Sequence, residues 1–134
     1  TLDISLGAET FQVVVDGTNN TLGDIKDSIN NAADNPGVTA SIVNVDGGPQ
    51  LVFTSNEAGA ANSIAVSVTD DDAGLIDDGI GLSRLDSANL ITIQSAQDAS
   101  FNLDGQLVTR GSNSISDVIT GVTLNLNKAE MGNF

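Results

Sequence analysis

The sequence predicts an α+β fold rich in β-structure: two tandem hairpin-helix-strand modules with mainly antiparallel sheets and short capped helices. Three observations carry that expectation. Apolar and polar residues alternate over short runs, as in Leu2, Ile4 and Leu6 or Phe11, Val13 and Val15, the period of a strand with one buried face. Turn residues such as Asp46-Gly47 and Asp104-Gly105 separate consecutive runs, as antiparallel hairpins require. In each half, a hydroxyl residue three positions ahead of an Asp (Thr21 and Ser114) leads into apolar residues at helical spacing, a capping-box pattern with Asp in place of Glu.

Taken in order, the chain opens as a hairpin that turns at Gly7-Ala8-Glu9. After the turn chemistry of residues 16–20, Leu22, Ile25, Ile29 and Ala32 or Ala33 recur on one helical face. The expected stop is Asn35-Pro36-Gly37, where Pro biases its predecessor away from helix and Gly permits the turn. Val38, Ala40 and Ile42 start a strand toward Val45, and Leu51 to Thr54 return. Residues 56–62 read as a small, polar loop or edge segment, and Ile64, Val66 and Val68 as one more strand.

From Asp70 to about Asn89 the pattern weakens into an acidic connector, with a single helical turn expected around residues 74–78. Leu90, Ile91 and Ile93 suggest a short strand. Phe101 and Leu103 alternate and Leu107 to Thr109 return as a hairpin; Ser114 then caps a short helix with Ile115, Val118 and Ile119 on one face, ended by Gly121. Val122, Leu124 and Leu126 form a last strand. The expected organisation is a first module at 1–88, carrying one amphipathic helix and the acidic connector, and a second at 89–134. A unit of about 65 residues is marginal alone, so the two halves are expected to touch.

Composition narrows the function classes. The 134 residues hold four Lys plus Arg against eighteen Asp plus Glu, a net charge of −14, which repels phosphate backbones and anionic lipid. Nucleic acid and membrane are therefore not expected partners. No apolar run approaches the roughly 20 residues of a membrane span, and no signal segment opens the chain; it is expected to be soluble and a piece of a longer protein. His, Cys, Tyr and Trp are all absent, which removes imidazole bases, soft metal ligands, disulfides and the usual sugar-stacking rings. An enzyme would have to work with carboxylates or a Ser-Lys pair. No enzymatic activity and no cofactor are expected.

The halves echo each other: residues 20–25, NTLGDI, stand beside residues 113–118, NSISDV, and Gly37-Val38-Thr39 beside Gly121-Val122-Thr123. On these residues, NNTLGDIKDSINNAADNPGVTASIVN together with AQDASFNLDGQLVTRGSNSISDVITGVTLNLNKA resembles the flagellar hook-associated protein 2 family, over nearly the whole chain. Residues 98–126 are similar to the hook IN motif, which also occurs in some flagellins, and the first half tips the resemblance toward the cap. It implies the outer, second and third domains of a filament cap protein, without the helical coiled coils of the family.

The implied function is a structural component of the bacterial flagellum: the outer head of the filament cap, exported to the extracellular flagellum tip, where it aids flagellin assembly. Flagellin and other copies of the longer protein are the implied partners, with host surface molecules a further class. Two alternatives stand beside it. One is the variable outer domain of a flagellin or hook-junction protein. The other is a surface adhesion module binding host glycans, for which only four Phe are available for stacking.

Among individual residues, Asp70, Asp71, Asp72, Asp77 and Asp78 are the hard-oxygen type that calcium prefers. Their consecutive spacing lacks the alternation and terminal Glu of an EF-hand loop, so a solvated acidic loop is favoured and no metal site is assigned. Arg84, Arg110, Lys26 and Lys128 are the only basic residues and are expected in surface ion pairs. Asp24 and Asp117 fall in the first turns of expected helices, where a carboxylate favours the helix dipole; both are expected to cap rather than to act as an acid-base pair. Ser114 with Lys128 could be imagined as nucleophile and base, but no strained nucleophile turn surrounds the serine. No catalytic residue is assigned.

Overall fold

The computed structural model describes residues 1–69 and 81–127. The alternating apolar positions at the start of the chain form strand β1 (Leu2–Leu6), which turns back into β2 (Glu9–Val13). On its other side β1 pairs antiparallel with β5 (Ile64–Val68), so that Leu2 faces Val13 and Val68, and Leu6 faces Glu9 and Ile64. This three-stranded sheet has the order β2-β1-β5. One face carries Leu2, Ile4, Phe11, Val66 and Val68, all essentially removed from solvent.

The chain between β2 and β5 supplies helix α1 (Leu22–Asn30) and the hairpin of β3 (Val38–Val45) and β4 (Gly48–Ser55). The capping box at the helix start is present: the Asp24 amide donates to Thr21 Oγ1 at 3.2 Å and the Thr21 amide to Asp24 Oδ2 at 3.3 Å. Ile25 and Ile29 point into the core beside Val38 and Ala40. The helix ends at Asn30, earlier than Asn35-Pro36-Gly37 implies. Asparagine accounts for the difference, because its carboxamide can hydrogen-bond to backbone and so compete with the helical pattern.

Two carboxamides occupy the free edge of β3. Asn30 accepts from the Ala40 amide and donates to the Ala40 carbonyl, both at 2.8 Å. Asn35 does the same for Val38, at 2.7 Å each way, and also donates to Ile29 O at 2.9 Å and accepts from Gly37 N at 3.0 Å. Together they imitate a neighbouring strand. The free edge of β5 is covered in like manner: Ser87 donates its amide to Val66 O at 2.9 Å and accepts the Val66 amide on Oγ at 2.7 Å, while Asp86 Oδ2 accepts the Val68 amide at 3.1 Å. Such pairing satisfies backbone groups that would otherwise be exposed for association.

Residues 81–90 therefore form more than a plain connector. A 3₁₀ turn at Gly81–Leu85 places Leu82, Leu85 and, further on, Leu90 against the core. The helical turn expected at residues 74–78 lies outside the described residues, as do Asp70, Asp71, Asp72, Asp77, Asp78 and Lys128. The short strand expected from Leu90 to Ile93 is not formed; Ile91 and Ile93 stand 89% and 83% exposed.

The second half corrects a larger expectation. β6 (Ala99–Leu103) and β7 (Gln106–Arg110) form the anticipated hairpin, with Asp104 and Gly105 at φ +50° and +78°, the doubly left-handed turn that twisted hairpins favour. The segment expected to be a short helix is instead β8 (Ser114–Ile119), paired with β9 (Val122–Asn125) across a turn at Thr120-Gly121. Six residues are too few to offset helix nucleation, and Ile115, Val118 and Ile119 are β-branched. A register shift between Ile115 and Ile119 reconciles their helix-like spacing with a strand, since an irregularity of this kind re-phases the side chains. The second half is thus hairpin after hairpin, and the tandem hairpin-helix-strand repeat does not hold in three dimensions.

Asn35→Ala should remove about 2–3 kcal/mol of stability, because it strands backbone groups of Val38 and Ile29, whereas Thr21→Ala should cost about 1 kcal/mol; urea melts of the two variants check the ranking. The Thr18 hydroxyl and amide, 2.6 and 2.7 Å from Asp16 Oδ1, hold the Asp16 carboxyl below the ordinary value of 3.8. Its contribution to stability is present above that ordinary value and lost as pH falls through the lower folded value. An NMR titration of the Asp16 carboxyl should give a midpoint under 3.8, and Thr18→Val should bring it back up.

Candidate functional site

The place where the two halves meet is built from the smallest residues in the chain. Residues 58–63, Ala-Gly-Ala-Ala-Asn-Ser, include a 3₁₀ turn at Ala60–Asn62 between β4 and β5. On one side the turn rests on the β1-β2 corner, where the Gly7 amide donates to Ser63 O at 3.0 Å. A Cβ on Gly7, which has φ +60°, would lie 2.4 Å from the carbonyl oxygen of Ala61. On the other side the turn meets the second half. Gly59, at φ +104°, approaches Gly111 so closely that a Cβ would lie 2.7 Å from the Gly111 carbonyl oxygen.

A directional contact accompanies this approach: the Ala60 amide donates to Asp98 Oδ1 at 2.7 Å. Asn62 fixes the turn from within, its amide donating to Gly59 O at 3.0 Å and its side chain to Ala58 O at 2.6 Å. The junction is consequently backbone against backbone with one carboxylate as an anchor. Only glycine allows such an approach at these dihedrals. Sequence reading took residues 56–62 for a loop or an edge segment; the run of small residues between two strands was the available signal.

The candidate residues from the sequence are scattered. Asp24 caps α1 as expected. Asp117 does not cap a helix: it lies on β8 and accepts Arg110 Nε on both carboxylate oxygens, at 3.1 and 2.9 Å, tying β7 to β8. Both groups are solvent-exposed, so the pair adds little energy and serves mainly to align the two hairpins. Lys26 pairs with Asp27 at 2.8 Å. Ser114 opposes Asn125 in the β8-β9 ladder, and its amide donates to Ser112 Oγ at 3.1 Å.

Among the described residues no three acidic groups converge to hold a metal ion, and no helix is long and apolar enough to cross a membrane. One open depression of about 410 Å³ is lined by Asn30, Asn35, Gly37 and Asn56 among others. The Asn30 and Asn35 amides there are engaged with β3 backbone, so that wall already has its partners. Asp98→Ala should speed hydrogen exchange at the Ala60 amide by about tenfold, the loss of one charge-assisted bond. Gly59→Ala should do so as well, while Gly111→Ala, whose Cβ would meet Asp98 Oδ1 at an ordinary 3.8 Å, should leave that amide unchanged.

Residues 96–134 match the model of the flagellar hook-associated protein 2 C-terminus, and residues 1–57 that of the flagellin hook IN motif. The IN motif therefore belongs to the first half, where the hairpin, capped helix and following strands are all present, rather than to residues 98–126. The chain is 33% identical to the B-type flagellar hook-associated protein 2 of Pseudomonas aeruginosa, over 94% of its own length and 28% of that protein. It is 36% identical to the flagellar hook-associated protein 2 of Escherichia coli K12, over 87% of its length and 25% of that protein.

A crystal structure of the Pseudomonas aeruginosa protein superimposes with a TM-score of 0.81 at 32% identity, covering 97% of this chain and 61% of that one. The D2-D3 domains of the flagellar cap protein from Escherichia coli superimpose at 0.78 with 35% identity, covering 98% and 67%. The chain spans just over a quarter of the length of the first of these curated relatives, 28%. Likeness in sequence and in fold runs through nearly the whole chain, and on that ground the chain belongs to the flagellar hook-associated protein 2 family.

Proposed function

We propose that this chain is the outer head of a flagellar filament cap: a structural element, carried at the extracellular tip of the flagellum, that aids insertion of exported flagellin. The observation that carries the reading is the match along nearly the whole chain to hook-associated protein 2 and to cap-protein D2-D3 domains. Its contribution is mechanical. A head at the tip must hold its shape while subunits pass, and the backbone-to-backbone junction at Gly59 and Gly111 fixes one half against the other with few side-chain degrees of freedom.

Charge fits the same role. At −14 on 134 residues, neighbouring heads repel one another, which keeps outer domains apart while other parts of the longer protein join copies together. Absence of Cys and scarcity of aromatics suit a chain that is exported unfolded and refolds outside. No catalytic activity is proposed, since imidazole and thiol are absent from the sequence. The division into a first module at 1–88 and a second at 89–134 is part of this reading; Leu82 and Leu85 pack onto the first core, as does Leu90 just past that boundary.

The flagellin alternative loses ground because residues 96–134 match a hook-associated protein 2 C-terminus. The glycan-binding alternative, and with it a host partner, has no support in the relatives' names. In a strain lacking the full-length protein, filaments should be lost and unassembled flagellin should appear in the medium. Immunogold label against residues 1–69 should decorate only filament tips. Label along the whole shaft would overturn the cap reading in favour of a flagellin outer domain, and normal filaments in the deletion strain would overturn both.

A further inference from the structure

Three Asp-Gly pairs lie within the described residues, Asp16-Gly17, Asp46-Gly47 and Asp104-Gly105, each in an exposed turn; the fourth pair in the sequence, at residues 78–79, lies outside them. Two of the three are complete hairpin loops, since Val45 pairs with Gly48 across Asp46-Gly47 and Leu103 pairs with Gln106 across Asp104-Gly105. Nothing crowds them: a Cβ on Gly47 or Gly105 would meet no atom within 4 Å. Among the described residues no group hydrogen-bonds to the carboxyl of Asp46 or Asp104. Asp16 is just as exposed but is held. Its Oδ1 accepts the Thr18 amide at 2.7 Å and the Thr18 hydroxyl at 2.6 Å, and its own amide donates to Asn19 Oδ1 at 2.7 Å.

An aspartyl carboxyl carbon lies within reach of the next backbone nitrogen, and glycine at that next position has no Cβ to hinder the approach. We propose that Asp46 and Asp104 are sites of spontaneous conversion to isoaspartate in the folded protein, and that Asp16, with the same glycine neighbour, is protected by Thr18. The nitrogen of Gly47 or Gly105 bonds to Cγ, the carboxyl hydroxyl leaves as water together with the amide proton, and a five-membered succinimide closes. Water then adds at the α-carbonyl carbon, the bond from that carbon to the glycine nitrogen breaks, and the main chain runs on through Cγ. No atom is gained or lost overall and the negative charge is kept, but the main chain is one methylene longer. At Asp46 and Asp104 the first step requires only rotation of an unbonded side chain. At Asp16 the Thr18 bonds must break first, and the same bonds keep the carboxyl ionised to lower pH, whereas the neutral acid is the form that expels water more readily. A two-residue loop lengthened in this way no longer matches the strands that it joins, so conversion loosens the Val45-Gly48 and Leu103-Gln106 ends of the two hairpins.

The test is peptide mapping of the full-length protein after several weeks at neutral pH and body temperature, with endoproteinase Asp-N, which cuts before aspartate and not before isoaspartate. The same protein held unfolded in guanidinium gives the rates set by sequence alone, and there all three positions should convert alike, because glycine follows each. In the folded protein positions 46 and 104 should still convert, while position 16 should be slower than either by about tenfold or more, the equivalent of one charge-assisted hydrogen bond. Thr18→Val, which removes the hydroxyl donor, should speed conversion at position 16 by several-fold and leave positions 46 and 104 unchanged; those two positions also report that the variant is folded. Absence of isoaspartate at 46 and 104 in the folded protein would overturn the proposal, as would conversion at 16 as fast as at the other two. A Thr18→Val protein in which position 16 stays as slow as in the parent would overturn the protection assigned to Thr18.

Discussion

The pairing of β1 with β5 is the contact on which the first half depends. It joins residues 58 to 66 positions apart, Leu2 with Val68 and Leu6 with Ile64, and so closes a loop that contains the helix, the β3-β4 hairpin and the junction turn. Closing such a loop is costly in chain entropy, though the cost rises only slowly with length. Burial of Leu2, Ile4, Val66 and Val68 on one face offsets it, each contributing about 1.5–3 kcal/mol before entropy is counted. Because β1 also pairs with β2 on its other side, it is the central strand of the sheet.

Polar side chains then take over where strands stop. Asn30 and Asn35 against β3, and Ser87 and Asp86 against β5, give backbone groups partners without offering a free edge to another molecule. This matters because a bare edge invites strand addition by the wrong chain. Acidic charge acts in the same direction. The helix is thereby held to the β3-β4 hairpin, and residues 86–87 to the sheet, by specific hydrogen bonds as well as by apolar contact, a combination that favours a single arrangement over a loose one.

The junction joins this well-closed unit to one that is closed less completely. Gly59, Ala60 and Gly111 bring two backbones together, and Asp98 supplies the direction. A junction built in this way leaves few side-chain degrees of freedom at the contact. The Arg110-Asp117 pair aligns the two hairpins of the second half.

Much of the fold was legible in residues 1–69 and 99–110 because their patterns are local. Alternation marked β1 and β2, Thr21 with Asp24 marked the helix start, and Asp104-Gly105 has the positive φ angles that its hairpin turn needs. Residues 114–119 were misread as helix because i, i+3, i+4 spacing is also what a strand shows when an irregularity shifts its register; only the partner strand β9 decides between them. Residues 81–90 looked like a connector because their value lies in contacts with β5, far off in sequence. The junction was hidden for the same reason: Gly59 lies in what reads as a loop or edge segment, and nothing but its approach to Gly111 in space makes the two a site. By itself the sequence determined composition, charge and the short-range pattern of elements, since those depend on neighbouring residues; register, edge protection and the seat of one half on the other were decided by tertiary structure, because they depend on groups meeting across tens of residues of chain.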